Sequence, residues 1–320
     1  MTVVEVTVHA TARSGEPVRG LGPRDLRLFV DGRDVPIESL EWVSNEPASA
    51  GKTPPSAEPR PTATAEAETP ETPAPPAGRL IVLLFQWNIE GTKVEGHVRM
   101  SRQALEFLDT LQPDDRVAVA TFGSRLWLRQ DFTSDRALLR SAVQNALVLE
   151  NGPATPQPPS LSAITAHGAE ATTIEKAFVA LGGALRPLPG SKGIVFFGWG
   201  IGKADFLMPG QQLGSMVYSP DFDRAVALLG QAQAPVFSLD VSGGHHSLEA
   251  GLERLSFETG GYYLPTYDFP RWAMKTVSQA LTGHYVLVFR PPHFDRHGFH
   301  EIRLDGPSGI KLLYRQGYED

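Results

Sequence analysis

Hydrophobic and polar residues alternate along the first 45 positions in the way that half-buried strands require. Residues 4–8 place valine at every second position, which predicts a first strand. A second strand is predicted at 26–30, just before the hairpin-turn signal Asp31-Gly32, and a third at 35–43. Because three such strands are marginal as an independent sheet, we expect them to pair with strands from elsewhere in the chain.

The same strand pattern returns at the other end of the chain. Strands are predicted at 284–290, which is stopped by Pro291-Pro292, at 299–304, and at 310–314 after a glycine-rich turn. Two β-rich ends around a different middle favour one small β-sandwich built from both chain ends, with a domain inserted between them. Two separate β-appendages would produce the same pattern.

The middle of the chain alternates strands with helices. Residues 80–85 form a continuous apolar run, which is typical of a strand buried on both faces. Further strands are predicted at 116–122, 126–128, 193–197, 235–241 and 261–264, and helices at 94–111, 135–148 (with Ser134 as N-cap), 172–185, 221–231, 248–259 and 269–281. This order predicts an α/β fold with a doubly wound, mostly parallel sheet, which binds ligands at the carboxyl ends of its strands.

Prolines divide the chain further. Residues 46–78 contain nine of the 27 prolines and no aromatic, leucine, isoleucine or valine residue. Such a segment buries too little apolar surface to offset its conformational entropy, so it is predicted to be a disordered linker, with an ordered surface loop as the alternative. A second proline-rich stretch, 151–171, predicts a long loop. The predicted division is therefore 1–45 with 283–320 as the β-sandwich, and 79–282 as the inserted domain.

Composition and charge exclude several classes of protein. The 320 residues include no cysteine, which excludes disulfides, a thiol nucleophile and cysteine-ligated metals. A net charge of −7 argues against a nucleic-acid partner, because such surfaces need basic patches. No apolar run approaches the ~18 residues of a membrane span. The first residues lack the basic and apolar regions of an export signal.

Several motifs together resemble a von Willebrand factor type A domain. They are the strand at 80–85 followed by QWNIE, TTIEKAF at 172–178, KGIVFFGWG at 192–200, and ETGGYY at 258–263. The flanks GEPVRGL at 15–21, DLRLFVDG at 25–32, YVLVFRP at 285–291 and RQGY at 315–318 are similar to bacterial VWFA-related proteins, which are abundant in Acidobacteria. The resemblance implies a Rossmann-like fold, a protein or peptide partner, and an exported protein.

The resemblance also implies where a metal ion would bind. Members that use one have Asp-x-Ser-x-Ser after the first strand, a threonine on a second loop and an aspartate after the fourth strand. Here those positions hold Gln86, Asn88 and Glu90, then Thr172, and then Trp199. Neutral amide oxygens do little to offset the dehydration of Mg²⁺, so the resemblance implies a degenerate site. No metal or other cofactor is expected.

Tryptophans stand where the metal loops would be. Trp87 and Trp199 are expected side by side at the carboxyl edge, and Gly200 permits close approach. Our hypothesis is a metal-free binding surface for a partner, made of these residues with Asn88 and Glu90, because tryptophans are common interface anchors. The alternative is that both indoles fill the space of the metal loops, with each Nε1–H bonded to a backbone carbonyl.

Motifs for catalysis are weak. The glycine-rich stretch 198–203 matches neither dinucleotide nor phosphate-binding loops. His245 and His246, beside Asp240, suggest either zinc ligands or a solvated loop; the histidine-rich stretch 293–300 raises the same two options. The sequence therefore predicts a non-enzymatic interaction or scaffolding module, with a metal-dependent adhesion module or a hydrolase with a non-standard site as the alternative.

Overall fold

The computed structural model describes residues 3–12, 16–44, 78–87, 91–146, 159–164, 168–205, 215–267, 270–293, 298–314 and 317–319. Most of the predicted linker, 46–77, lies outside the described residues, as do 151–158 and 165–167 of the predicted long loop. The predictions for those positions, including disorder of the linker, therefore stay predictions.

Strands dominate both ends of the chain, and helices alternate with strands in the middle. The strands are β1 (Val4–Ala12), β2 (Arg27–Val30), β3 (Arg33–Val35), β4 (Ile37–Ser44), β5 (Leu80–Gln86), β6 (Arg116–Phe122), β7 (Leu126–Thr133), β8 (Lys192–Gly198), β9 (Lys203–Asp205), β10 (Ser215–Val217), β11 (Val236–Asp240), β12 (Tyr263–Pro265), β13 (Gly283–Phe289), β14 (Phe299–Asp305), β15 (Ile310–Tyr314) and β16 (Gly317–Glu319). The helices are α1 (Gly91–Leu108), α2 (Arg136–Gln144), α3 (Ile174–Leu185), α4 (Pro220–Gln231), α5 (Glu249–Glu258) and α6 (Pro270–Ala280).

The central sheet has the order β12-β11-β8-β5-β6-β7. Every neighbouring pair is parallel except β6 with β7. Counted along the chain, this is the doubly wound order 3-2-1-4-5-6, with an antiparallel strand at one edge. The predicted fold class is confirmed. The order reverses between β5 and β8, so the space between their carboxyl ends, hereafter the crevice, is where this architecture usually places ligands.

Helices cover both faces of the central sheet because its strands are apolar on both sides. Every residue from Leu80 to Gln86 in β5 is buried. Leu80, Val82 and Leu84 join one core with residues of α3, α4 and α5. Ile81, Leu83 and Phe85 join the other core with residues of α1, α2 and α6. Burial on both faces explains the continuous apolar run.

Strands from both chain ends form two antiparallel four-stranded sheets. One has the order β15-β1-β13-β4 and the other β16-β14-β2-β3. Their inward residues share a single core, which includes Val6 of β1, Leu28 of β2, Leu287 of β13 and Ile302 of β14. The arrangement is a β-sandwich to which both chain ends contribute.

The sandwich contacts the central part of the chain through β1. The Nε2–H of buried His9 donates a hydrogen bond to the Gly260 carbonyl at 3.0 Å. The His9 ring also meets the edges of Phe237 and Tyr262, with centroids 5.9 and 5.5 Å away. Two aromatic residues of the central part thus enclose a histidine of the sandwich.

The predicted third strand, 35–43, is wrong as a single element. The structure has β3 ending at Val35 and β4 beginning at Ile37, and the two strands lie in different sheets. Pro36 separates them, and proline has no N–H for a sheet ladder. The proline is therefore the point where the chain crosses between the sheets.

The N-cap predicted for the second helix is also wrong. Asp135 rather than Ser134 caps α2, because its carboxylate accepts hydrogen bonds from Ala137 N–H and Leu138 N–H. The preceding strand β7 runs to Thr133, beyond the predicted 126–128. Strand and helix are therefore almost contiguous, which leaves Ser134 too early to cap.

Short elements were not predicted. The β9–β10 hairpin and β16 are three-residue strands, too short for a period-two pattern to emerge. In the described parts of the predicted loop 151–171, Leu161, Ile164 and Ala171 are buried. None of the helices in the described part of the chain combines the length and apolarity that crossing a bilayer requires.

Candidate functional site

The crevice is bridged by one side chain, Gln86, the last residue of β5. Its amide is buried; Oε1 accepts a hydrogen bond from Trp199 N–H at 3.0 Å, and Nε2 donates to the Gly200 carbonyl at 3.0 Å. The amide thereby ties the end of β5 to the loop that follows β8. Both of its polar atoms are engaged within the protein.

A buried histidine supports Gln86 from helix α1. The Nε2–H of His97 donates to the Gln86 carbonyl at 2.6 Å, while Nδ1 has no partner among the described residues. Burial lowers the pKa of His97 to about 4, although the bond to Gln86 opposes this shift. The imidazole is therefore neutral at physiological pH, and His97 contributes no positive charge to the crevice.

Trp199 lies half-buried on the β8 side of the crevice. Its ring packs against the core that faces α1 and α6, and Lys93 Nζ lies 4.3 Å from the ring centre. The indole Nε1–H is buried and has no hydrogen-bond partner among the described residues. Within that part of the chain, the backbone bond that the space-filling alternative required at Trp199 is not formed.

Trp87 lies on the other side, toward β6. Its N–H donates to the Phe122 carbonyl, and its Cβ lies near Gly123, so the chain continues the β5–β6 pairing here. The ring is half-buried. No contact between the Trp87 and Trp199 rings occurs among the aromatic pairs of the described residues. Gln86 instead occupies the position between them.

The remaining predicted positions divide into two groups. Asn88 and Glu90 lie outside the described residues. Thr172 is exposed, and its N–H donates to the Glu170 carbonyl at 2.9 Å in the turn before α3. Thr173, rather than Thr172, caps α3 with its side chain.

The glycine-rich loop after β8 packs closely against helix α5. A Cβ on Gly200, whose φ is +154°, would lie 2.5 Å from Leu248 Cβ. A Cβ on Gly251 would lie 2.3 Å from the Ile201 carbonyl oxygen. This loop leads into β9 rather than into a helix, so it does not form a phosphate-binding helix N-terminus.

A second group of polar side chains lies one strand further along the same edge. Asp240 ends β11 and is fully buried; its Oδ2 lies 3.0 Å from His246 Nε2, and its Oδ1 accepts from Ser242 N–H at 2.8 Å. Burial would raise the pKa of Asp240, but hydrogen bonds from His246 and Ser242 hold it below its usual value. Asp240 is therefore an ionised carboxylate inside the protein.

Two further elements complete this group. Glu249 is the first residue of α5, and its carboxylate oxygen, the Asp240 oxygen and a His246 ring nitrogen all lie within 4.8 Å of one another. We call these three residues the Asp240 cluster. The Tyr263 hydroxyl of β12 donates to Asp240 Oδ2 at 2.9 Å and lies 3.4 Å from Glu249 Oε2. Burial, followed by the charge of Asp240, raises the pKa of Tyr263, so the hydroxyl stays protonated.

Ser242, His246 and Asp240 do not form a hydrolytic triad. Ser242 Oγ lies 2.8 Å from His246 Nε2, the same nitrogen that faces Asp240. A serine triad needs the carboxylate on one ring nitrogen and the serine on the other, so that the ring can pass a proton between them. This arrangement orients the ring but does not activate the serine.

The sequence identified only part of the Asp240 cluster. It drew attention to His245 and His246 beside Asp240, but it gave no role to Glu249 or Tyr263. The spacing His246-x-x-Glu249, directly at a predicted helix start, was the available signal. In the other histidine-rich stretch, His300 pairs with Asp31 at 2.7 Å, and 294–297 lie outside the described residues.

No protein-family model matches the chain, and the comparison with curated proteins finds no match. Similar solved structures include the PilB minor pilin from Streptococcus sanguinis, with 14% identity, 64% of this chain and 60% of the pilin covered, and a TM-score of 0.40. A von Willebrand factor type A protein from Catenulispora acidiphila has 11% identity, 75% and 65% coverage, and a TM-score of 0.43.

The vWF domain of the type V pili tip protein Mfa5 from Porphyromonas gingivalis has 10% identity, with 68% of this chain and 99% of that domain covered, and a TM-score of 0.41. This chain spans less than two thirds of the pilin and of the Catenulispora protein. At such identities and TM-scores, these similarities carry no conclusion about what this chain binds.

Proposed function

We propose, taking residues 79–282 as a von Willebrand factor type A-like fold, that the chain is a non-enzymatic protein-interaction or scaffolding module. Its partner-binding surface would lie at the carboxyl edge of the central sheet, around the crevice, and would need no magnesium ion there. The observation that carries this proposal is the doubly hydrogen-bonded amide of Gln86 between the ends of β5 and β8.

The described residues of the crevice are a poor fit to a magnesium ion. Gln86 donates and accepts within the protein, so coordination by its oxygen would break the bond to Trp199 N–H. Trp199 offers no oxygen, and the Thr172 hydroxyl is a neutral ligand. Mg²⁺ prefers a near-octahedral shell with carboxylates to offset its reluctant dehydration. These described positions supply no carboxylate, which supports a degenerate site.

The proposed surface consists of Trp87 and Trp199, with Asn88 and Glu90; Gly200, also predicted for it, is buried against Leu248 and shapes the loop after β8 instead of contacting a partner. Half-buried indoles with part of the ring at the surface provide the rigid contact area that interfaces favour. Lys93 over the Trp199 ring adds a cationic group at the same place. A partner with an acidic or aromatic side chain would be complementary to it.

The proposal is tested by quantitative affinity capture from an extract of the source organism, with Trp87→Ala and Trp199→Ala compared with the unchanged chain. We expect a reproducible set of captured proteins to fall by more than tenfold with at least one variant. Leu138→Ala, which also shortens an exposed apolar side chain but lies on α2, is the control and should leave the set unchanged.

Three outcomes would count against the proposal. If each tryptophan variant unfolds, as shown by circular dichroism, the indoles fill space and do not form a surface. If capture requires added Mg²⁺ and is lost in EDTA, the alternative of a metal-dependent adhesion module is correct. Turnover of ester or peptide substrates by the purified chain would instead favour the hydrolase alternative.

A further inference from the structure

We infer that Asp240, His246 and Glu249 bind a divalent transition-metal ion, with Zn²⁺ as the best fit. This site lies at the end of β11, one strand away from the crevice, and does not depend on the function proposed above. The inference rests on the chemistry and spacing of three side chains from three different elements, which the fold brings together at the edge of the sheet.

The spacing of the ligand atoms is close to that of a zinc site. In tetrahedral sites with metal–ligand distances of ~2.0–2.2 Å, neighbouring ligand atoms lie roughly 3.3 Å apart. His246 Nε2 and Asp240 Oδ2 are 3.0 Å apart, and all three ligand atoms of the Asp240 cluster lie within 4.8 Å of one another. Small side-chain movements are enough to reach coordination distance.

Glu249 is the ligand whose side chain must move to complete the site, and its present contacts are weak. Asp240 is fully buried and fixed by Ser242 N–H. The Glu249 side chain is 27% exposed and holds only long contacts, at 3.3–3.4 Å, with His245 and Tyr263. Rotation of Glu249 toward Asp240 therefore breaks no strong bond, whereas Asp240 and His246 are already in position.

The hydrogen on His246 Nε2 lies between His246 and Asp240, where the proposed metal ion would bind. Because Asp240 is ionised, the 3.0 Å contact requires a hydrogen on Nε2. A metal ion bound to Nε2 would take the place of this hydrogen, and the ring would then carry its hydrogen on Nδ1. The ion would also place positive charge beside the buried Asp240 carboxylate.

The three ligand atoms of the Asp240 cluster favour some metal ions over others. An imidazole nitrogen among the ligands favours zinc and related transition metals, whereas Mg²⁺ and Ca²⁺ prefer oxygen ligands alone. The Tyr263 hydroxyl, which faces both carboxylates, supports their orientation from outside the ligand set. Three protein ligands leave one position open for water or for a carboxylate of a partner.

Among the described residues, this is the group of histidine and acidic side chains whose geometry would hold a metal ion. Asp240 comes from a strand end, His246 from the following loop, and Glu249 from the start of α5. A bound ion would therefore join β11 to α5 across the loop 241–248, next to Gly200 and Leu248.

The test is isothermal titration of the metal-free full chain with ZnCl₂, CoCl₂ and MgCl₂. We expect one equivalent of Zn²⁺ to bind, Mg²⁺ not to compete, and Glu249→Gln and His246→Gln each to weaken binding by at least about tenfold. Glu106→Gln is the matched control, since this exposed carboxylate lies on α1 and is outside the Asp240 cluster. It should leave affinity unchanged.

A second measurement guards against variants that fail to fold. Co²⁺ in a site of low coordination number absorbs visible light, and loss of this band in Glu249→Gln, with unchanged circular dichroism, would support the site directly. The inference is overturned if the unchanged chain binds no stoichiometric Zn²⁺, or if binding persists in both ligand variants. The second result would assign the ion to exposed histidines such as His245 or His293.

Discussion

His9 and Gly260, 251 positions apart in the chain, are joined by a hydrogen bond of 3.0 Å between the β-sandwich and the central part of the chain. The His9 ring is completely buried, and its Nδ1 has no partner among the described residues. Burial lowers its pKa to about 4, with a smaller contribution in the same direction from nearby His284. Burial of the ring therefore favours the neutral histidine, although the hydrogen bond to Gly260 opposes this effect.

Lowering the pH should lower the free energy of unfolding, because His9 is buried as a neutral ring. Between pH 6.5 and pH 4 the unfolded chain binds a proton at His9 and the folded chain does not, so stability falls as the pH falls through this window. Lowering the pH from 7 to 5 should cost about 2 kcal/mol at this residue. Urea unfolding at the two pH values measures the loss.

The variant His9→Gln isolates this effect, because it keeps a donor for Gly260 but does not titrate. It should reduce the difference in unfolding free energy between pH 7 and pH 5 by about the same 2 kcal/mol. His97, whose pKa is also lowered to about 4, would account for a remaining dependence. An unchanged pH dependence in His9→Gln would show that His9 is not the group responsible.

The buried ion pair at the opposite edge of the sheet should be essential for stability. The Arg79 guanidinium donates to both oxygens of Asp115, which also accepts from the backbone N–H groups of Arg79 and Gln112. Asp115→Ala leaves a buried guanidinium without its carboxylate, so we expect a loss of about 3–5 kcal/mol in the free energy of unfolding.

The exposed pair Arg27–Asp34 provides the control for this measurement. Its side chains are 68% and 58% exposed, so Asp34→Ala should cost far less of the free energy of unfolding than Asp115→Ala. Chemical unfolding of both variants gives the comparison. Equal losses would mean that burial does not set the strength of the Arg79–Asp115 pair.

The Gln86 bridge predicts a local rather than a global effect. Gln86→Ala removes the acceptor of Trp199 N–H and the donor to the Gly200 carbonyl. A net hydrogen bond is worth about 0.5–1.5 kcal/mol, so the Trp199 amide should exchange its hydrogen up to about tenfold faster. Hydrogen exchange read by mass spectrometry or NMR measures this.

Gln112→Ala, which removes an exposed glutamine side chain outside the crevice, should leave exchange at residues 198–202 unchanged. If Gln86→Ala has no more effect than this control, the amide does not hold the loop in solution. The bridge would then not support the proposal that the crevice binds its partner without a metal ion.

The elements that the sequence predicted well are those whose pattern is repeated over several residues. Leu80 to Phe85 are all buried, so their burial on two faces appears directly as a continuous apolar run. The break at Pro36 was missed because the residues on both sides remain strand-like, and only the change of sheet distinguishes them. The cap at Asp135 depended on where β7 ends, which the pattern places poorly.

The candidate sites were less predictable because they depend on contacts between distant parts of the chain. Asp240 and His246 are near in sequence, but Tyr263 reaches Asp240 only because β12 pairs with β11 in the register Ser238 to Tyr263. The role of the Gln86 amide likewise depends on a distant contact, because its partner Trp199 lies in the loop after β8, 113 positions away. Neither relationship has a sequence pattern of its own.

Strands β4 and β13 pair directly, and Ser44, the last residue of β4, is the register partner of Gly283, the first residue of β13. The chain thus leaves the sandwich and returns to it at one point. If the strands at the two ends of the chain are pulled apart, the force is carried by the hydrogen bonds between the strands of the sandwich. While β4 and β13 stay paired, the central sheet lies outside the path of that load, and both the crevice and the Asp240 cluster are mechanically sheltered.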